Sequence, residues 1–252
     1  MLIDTHCHID SESYENPEEV IKNMKNNIIV ASAASPSSIE EVVSLASKYE
    51  NVYGTIGIHP EFASTYTKDD LTLLESYINH PKIIGIGEIG LDYHYGKEDS
   101  EAQKELFIKQ IELANKYNKT IVIHTRDAAL ETYNIIKDYK NEETKLILHC
   151  YSGSLEMAKD YIKLGAKLGI GGVLTFKNEK KLKEIVKELD LGNFVLETDS
   201  PYLTPEPYRG KKNEPMNVKF VAEKIAEIKG IDPEKVAEIT TKNALNQFDL
   251  EI

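Results

Sequence analysis

Short apolar runs rich in β-branched residues recur along the chain, separated by longer stretches whose apolar positions repeat every three to four residues. This alternation predicts strands at Leu2–Asp4, Asn27–Ser32, Val52–Ile58, Lys82–Glu88, Thr120–His124, Lys145–His149, Ala166–Ile170 and Phe194–Glu197. Gln103–Tyr117 shows the helical pattern: Phe107, Ile111 and Ala114 fall at i, i+4 and i+7, and Leu106, Leu113 and Tyr117 widen the same face. Eight strands, each followed by a helix, predict an α/β fold of the (β/α)8 barrel type, a single domain over 1–252. A doubly wound open sheet is the alternative, but it rarely needs eight evenly spaced units. The segment Ser200–Pro215 holds Pro201, Pro205, Pro207 and Pro215, so it reads as a stiff surface loop. Terminal helices follow at Val218–Ile228 and Asp232–Phe248, the second opened by Asp232 as N-cap and Pro233 in the first turn.

An apolar share of 41% beside 29% charged residues excludes wholesale disorder. Two cysteines, Cys7 and Cys150, are too few for a disulfide framework and point to a reducing cytoplasm. The start, Met1-Leu2-Ile3-Asp4-Thr5-His6, lacks the basic and apolar regions of a signal peptide. No apolar stretch reaches the ~18 residues of a membrane span. The net charge of −12 argues against a protein that coats nucleic acid. It leaves room for an enzyme that meets a phosphate at one small site, where bound metal ions reverse the local field.

Residues able to bind metal fall at the strand ends. His6 and His8 are expected just past the first strand, Glu88 at the end of the fourth and His124 at the end of the fifth. His149 ends the sixth, and Asp199 lies just past the eighth. In a β/α barrel these ends open on one face, where such enzymes keep their active sites. A single histidine at a strand end is usually a hydrogen-bonded structural residue. Four of the seven histidines with two carboxylates, spread over five strand ends, point instead to a metal site. In the extended His6-Cys7-His8 segment both imidazoles point one way and Cys7 the other, so Cys7 reads as a small packing residue; Cys150 reads the same beside His149. Six ligands exceed what one tetrahedral ion takes, so two divalent ions are expected, with a carboxylate as the bridge. Two ions ~3.5–4 Å apart clamp the attacking and leaving oxygens of an in-line displacement. The chemistry reached is metal-dependent hydrolysis, with phosphate esters favoured over neutral amides; nuclease and phosphatase both remain open.

The segments IDTHCHID, GIHP, GEIGLDYH, HTRDA, LHCYSG and LETDSPYLTPEPYRGKKNEP resemble the signature blocks of the TatD family of metal-dependent deoxyribonucleases, within the amidohydrolase superfamily. They span Asp4 to Pro215 in the family's order, and TTKNALNQF at Thr240–Phe248 resembles its closing helix. The resemblance implies a (β/α)8 barrel with Glu88 bridging two ions, one held by His6, His8 and Asp199 and the other by His124 and His149. It also implies 3′-to-5′ exonuclease action on DNA, with single strands and 3′ ends as substrate and Mg²⁺ as the usual ion. The nitrogen-rich ligand set suits Zn²⁺, Mn²⁺ or Fe²⁺ as well. Asp199 is expected to help deprotonate the attacking water, beside Glu88 as the bridge. No obligate protein partner is implied. The rival readings are hydrolysis of esters, lactones or amides, deacylation of mischarged transfer RNA, or a non-catalytic binding module with structural metals.

Around that set, His59 in GIHP is expected to donate to the substrate phosphate or to act as leaving-group acid, against a plain turn histidine. This chain carries Glu61 where the family often has a second histidine. Arg126 and Arg209 are expected to grip phosphate, against loop-bracing roles, while Lys211 and Lys212 read as surface residues. Asp92 either orients a ligand histidine or caps its loop, Asp4 leans structural, and His80 and His94 read as loop residues. Tyr93, Tyr151, Tyr202 and Tyr208 flank the motifs as candidates for base stacking.

Overall fold

The computed structural model describes residues 1–33 and 35–251, so the ends of the expected domain are covered except for Ile252, with Ala34 also outside the described residues. The strands are β1 (Ile3–Cys7), β2 (Ile28–Ala33), β3 (Val52–Ile56), β4 (Ile83–Asp92), β5 (Thr120–Arg126), β6 (Leu146–Leu148), β7 (Ala166–Ile170) and β8 (Phe194–Leu196). Between and after them run α1 (Pro17–Asn23), α2 (Ile39–Lys48), α3 (Lys68–Tyr77), α4 (Ser100–Tyr117), α5 (Ala129–Tyr139), α6 (Leu155–Lys163), α7 (Lys181–Glu188), α8 (Val218–Lys229) and α9 (Pro233–Phe248). The strands hydrogen-bond in sequence order in one eight-stranded sheet, with parallel pairing. Parallel strands in that order, each followed by a helix, are the (β/α)8 barrel predicted from the alternation. Among the described residues no helix is long and apolar enough to cross a membrane.

The chain divides into two compact units, 1–31 with 150–252, and 32–149. In the first, Ile3, Ile29, Val30, Leu168, Ile170, Phe194 and Val195 are fully or almost fully buried, and α8 and α9 add Val221, Ile225 and Val236. Such strands read as near-continuous apolar runs because both faces are covered. Asp232 caps α9 as predicted, accepting from the Glu234 N–H at 2.7 Å. In the second unit, Ile56, Ile83, Ile86, Ile121, Ile123, Ile147 and Leu148 build the strand core, with Phe107 and Ile111 of α4 against it.

Several expected strand ends lie elsewhere: β3 stops at Ile56, and β6 and β8 stop one residue early, so that His149 lies just past β6. His6 belongs to β1 itself, and only His8 lies past it. Glu88 and His124 do not terminate their strands: β4 and β5 continue to Asp92 and Arg126 through the pairs Gly90↔His124, Leu91↔Thr125 and Asp92↔Arg126. Gly90 makes this extension feasible. Its φ of 149° suits glycine, and a Cβ there would strike the His124 carbonyl.

Candidate metal centre

In the first unit β1 delivers His6 and His8, and the turn after β8 delivers Asp199. Backbone bonds tie the two segments together: Asp199 N–H donates to the His6 carbonyl (3.0 Å), and His8 N–H donates to the Ser200 carbonyl (2.7 Å). Beneath them the buried Asp4 carboxylate accepts from the Thr198 N–H (2.9 Å), the Thr198 hydroxyl (2.5 Å) and the His6 N–H (3.3 Å). Asp4 is therefore a structural brace, and burial pushes its carboxyl well above the usual range. The side chains converge: His6 Nε2 lies 3.4 Å from His8 Nε2, and Asp199 Oδ1 lies 3.8 Å and 3.7 Å from the two rings. Asp199 sits at φ 54°, in the left-handed region, which costs a non-glycine residue on the order of 1 kcal/mol. Cys7 is fully buried with its thiol on the Val30 carbonyl, as a packing residue is.

In the second unit Glu88 Oε1 is the focus. It lies 2.6 Å from His124 Nδ1, 3.6 Å from His149 Nε2 and 3.8 Å from His59 Nε2. The far nitrogen of His124, Nε2, meets Asp92 Oδ2 at 3.0 Å, while Asp92 Oδ1 accepts from the His94 N–H at 2.9 Å. Asp92 thus meets the His124 ring and caps its loop at once. Burial pulls the His124 pKa down, but the hydrogen bonds to Asp92 and Glu88 outweigh it and push the ring up to about 9. Burial likewise raises Asp92, and its bonds to His124 and the His94 amide with the charges of His124 and Arg126 outweigh that and hold it below the usual carboxylate range. His59 Nδ1 accepts from the Glu61 N–H (3.3 Å), so in the neutral ring the proton sits on Nε2, the nitrogen on the Glu88 side. Its ring lies edge-on to His124, centroids 4.5 Å apart.

Two glutamines of α4, invisible in the apolar pattern, clamp this group. Gln110 accepts from the Ile58 N–H (2.8 Å) and donates to the Ile58 carbonyl (3.0 Å), fixing the residue before His59. Gln103 does the same for Asp92, at 2.8 Å and 2.9 Å. Seven residues apart, they lie on one face of the helix. Glu197 gives no signal in the apolar pattern either. It is fully buried, and its Oε1 accepts from the Cys150 N–H (2.5 Å), next to His149. Gly169 leaves the space its carboxylate fills. The signal available in the sequence was a glutamate between Leu196 and Thr198, both buried. Cys150 departs from expectation: it is half-buried at φ 44°, because its amide turns to reach Glu197.

The remaining predictions divide. Arg126 is exposed, its guanidinium 5.8 Å from the Tyr95 ring. Arg209 stacks over Phe176 at 3.9 Å and donates to the Thr204 carbonyl (3.2 Å), so it braces its own loop. Lys212 donates to the Ser13 carbonyl and Lys211 lies over Tyr208, both as surface residues. His80 bonds Ser47, and His94 meets Asp127, both in loops.

The donor atoms fit divalent ions. Tetrahedral ligands ~2.1 Å from an ion stand about 3.4 Å from each other. The separations among His6, His8 and Asp199 and between Glu88 and His149 run from 3.4 to 3.8 Å. The shorter Glu88–His124 approach is that of a proton held between the two. Ligand atoms of Glu88, His124 and His149 all lie within 4.8 Å of one another. Asp92 on the far nitrogen of His124 supplies the carboxylate–histidine pairing that metal sites use to orient a ring.

The family described as TatD related DNase matches residues 3–249. The chain is 43% identical to the metal-dependent hydrolase YabD of Bacillus subtilis, over 98% of this chain and 99% of that one. It is 32% identical to the metal-dependent hydrolase YcfH of Escherichia coli K12, over 99% and 96%. Among solved structures, the TatD homologue YjjV of Escherichia coli K12 superposes with a TM-score of 0.93 at 26% identity, covering 99% of this chain and 98% of that one. With imidazoles and carboxylates gathered at metal-ligand spacing on a (β/α)8 frame, the chain belongs to the TatD family and is a metal-dependent hydrolase.

Proposed function

We propose that the protein is a phosphodiesterase acting on DNA, a 3′-to-5′ exonuclease that prefers single strands, and that it works at two divalent ions. The observation that carries the reading is the crowding of three imidazoles on one carboxylate oxygen, Glu88 Oε1. A carboxylate so placed has the lone pairs to serve two ions at once. In this proposal His6, His8 and Asp199 would hold one ion, His124 and His149 the other, and Glu88 would serve both. The proposal treats 1–252 as one catalytic domain, and the description of the matching family as DNase supports the substrate.

Bound divalent ions supply Lewis acidity and a water of lowered pKa at neutral pH. The chain's own residues do the rest. Asp199 accepts the proton of the attacking water. His59, protonated on Nε2, donates to the phosphate oxygen or to the leaving 3′ oxygen. Asp92 holds the His124 ring in one orientation. Arg126 and Arg209 grip phosphate oxygens, Arg209 through the edge of its guanidinium turned from the Thr204 carbonyl. Mg²⁺ is the proposed ion, with Mn²⁺, Zn²⁺ and Fe²⁺ admitted by the ligand set. Both cysteines are free thiols, in keeping with a reducing cytoplasm.

The test is a time course on a 5′-labelled single-stranded oligonucleotide with metal-stripped protein resupplied with Mg²⁺ or Mn²⁺. A ladder shortening from the 3′ end, absent in Glu88→Ala, is expected. No cleavage by protein that binds both ions would overturn the nuclease reading and turn attention to esters, lactones and amides.

A further inference from the structure

The four tyrosines that flank the motifs meet different fates. Tyr93 and Tyr151 are buried. Tyr208 leans on Phe220, with centroids 5.4 Å apart, and Lys211 lies over its ring. Tyr202 is 61% exposed, yet its ring lies 6.2 Å from that of His8, one of the candidate ligands, inclined by 66°. A single exposed aromatic ring is ordinary on a protein surface. What distinguishes Tyr202 is the rigidity of the backbone that presents it.

Tyr202 N–H donates to the Asp199 carbonyl (2.9 Å), and its own carbonyl accepts from Asn213 Nδ2 (2.7 Å). Asn213 is fully buried and acts as a hub. Its Nδ2 also donates to the Thr198 carbonyl (3.0 Å), its N–H to the Pro201 carbonyl (3.1 Å), and its Oδ1 accepts from the Glu214 N–H and Asn217 Nδ2. One buried amide thus closes the base of the Ser200–Pro215 loop and fixes Tyr202 relative to Asp199. A ring on a fixed backbone loses little freedom when a ligand covers it, so its apolar face is available at low entropic cost. The same loop carries Arg209, Lys211 and Lys212 on a chain of net charge −12. A largely exposed ring on a loop that also carries cations is the make-up of single-strand nucleic-acid sites, where rings stack on bases and cations follow phosphates.

We infer that Tyr202 is a stacking platform for the nucleobase next to the scissile phosphodiester, so that the site takes the unpaired end of a nucleic acid strand. The inference rests on the phosphodiesterase reading of the metal centre and deepens it. A base inside a duplex has both faces covered by its neighbours, and a platform of this kind engages only a base that has left the stack. The preference for single strands then follows from one side chain. Stacking uses the ring, so phenylalanine serves in its place.

Two measurements on the metal-loaded protein test this. The first compares steady-state KM on two single-stranded oligonucleotides, identical except that one ends in an abasic residue at its 3′ side. Tyr202→Ala is expected to raise KM for the normal strand by about tenfold and to bring the abasic-to-normal KM ratio close to one, while Tyr202→Phe keeps the wild-type ratio. The second follows binding of an oligonucleotide carrying 2-aminopurine at its 3′ end and a slowly cleaved phosphorothioate as its last linkage. Stacking quenches the fluorescence in wild type and Tyr202→Phe, and the quenching is lost in Tyr202→Ala. An equal loss on both strands, or quenching that persists in Tyr202→Ala, overturns the platform even if DNA is cleaved. Tyr202-dependent quenching with no cleavage of any strand keeps the platform and removes the phosphodiesterase reading on which the name of its substrate depends.

Discussion

His6, His8 and Asp199 owe their placement to main-chain bonds between β1 and the turn after β8, with the buried Asp4 carboxylate bracing that turn from below. Glu88 and His124 stand on the paired strands β4 and β5, and side chains add to that hold around the His124 ring and before His59. Asp92 grips the ring of His124, Gln103 clamps Asp92, and Gln110 clamps the residue before His59. Main-chain bonds survive most substitutions, whereas each side-chain clamp is a single amide or carboxylate that one substitution removes. The second set is therefore the more vulnerable, and it is also the one that holds the proposed bridge and the proposed acid. A hydrolytic centre that must fix its ligands within fractions of an ångström can draw on both devices.

The largest expected effect comes from Glu88→Ala, which removes the carboxylate that three imidazoles face. Activity should fall by on the order of 10³-fold or more, with loss of bound metal, as atomic emission on dialysed protein would reveal. Full rate with unchanged metal content would end the bridging role. His59→Ala should lower kcat by about 10²-fold with metal content unchanged, since the ring acts on substrate and not on the ions. Loss of metal in that variant would make His59 a ligand instead.

Asp92→Asn and Asp4→Asn set the two devices directly against each other. Asp92→Asn should weaken metal binding by roughly 10–100-fold, because an amide in place of the carboxylate takes the charged partner from the His124 ring. Asp4→Asn should cost about 1–3 kcal/mol of folding stability by chemical denaturation, with a smaller change in metal affinity, because main-chain bonds still hold His6 and Asp199. Equal effects on metal from both would erase the distinction. Gln110→Leu leaves the buried N–H and carbonyl of Ile58 unmatched, which should also cost about 1–3 kcal/mol, and turnover should fall with metal retained.

The smallest expected effect concerns protons. The metal-free His124 ring, pushed up to about 9, is protonated at neutral pH and must release that proton to bind an ion. Apparent metal affinity should therefore rise with pH up to about 9 and then level off. Calorimetric titrations at pH 7.5 in two buffers of different ionisation enthalpy should show proton release. Its absence would mean that His124 is not a ligand.

The barrel was legible because both periodicities, two for strands and 3.6 for helices, depend only on burial. Candidate ligands stood out because they cluster at the strand ends that the pattern predicts. Strand lengths were not: β4 and β5 run past Glu88 and His124 because Gly90 lets the two backbones meet, and a glycine in sequence does not announce what approaches it. The clamps of Gln103 and Gln110 were hidden for a related reason. On an amphipathic helix a glutamine reads as an interruption of the apolar face, and its bond to a main-chain amide 11 or 52 residues away leaves no local signal. Glu197 was lost inside a strand pattern, and only the space left by Gly169 shows how a carboxylate fits there. Arg209 follows β8 in the sequence, but the Phe176 ring beneath it could not be read from spacing.

If two ions share Glu88, crystals grown with Mn²⁺ will reveal both by anomalous scattering. Two peaks are expected about 3.5–4 Å apart with the Glu88 carboxylate between them. His6, His8 and Asp199 should surround one peak, and His124 and His149 the other. A single peak, or two peaks of which only one contacts Glu88, would contradict the shared bridge.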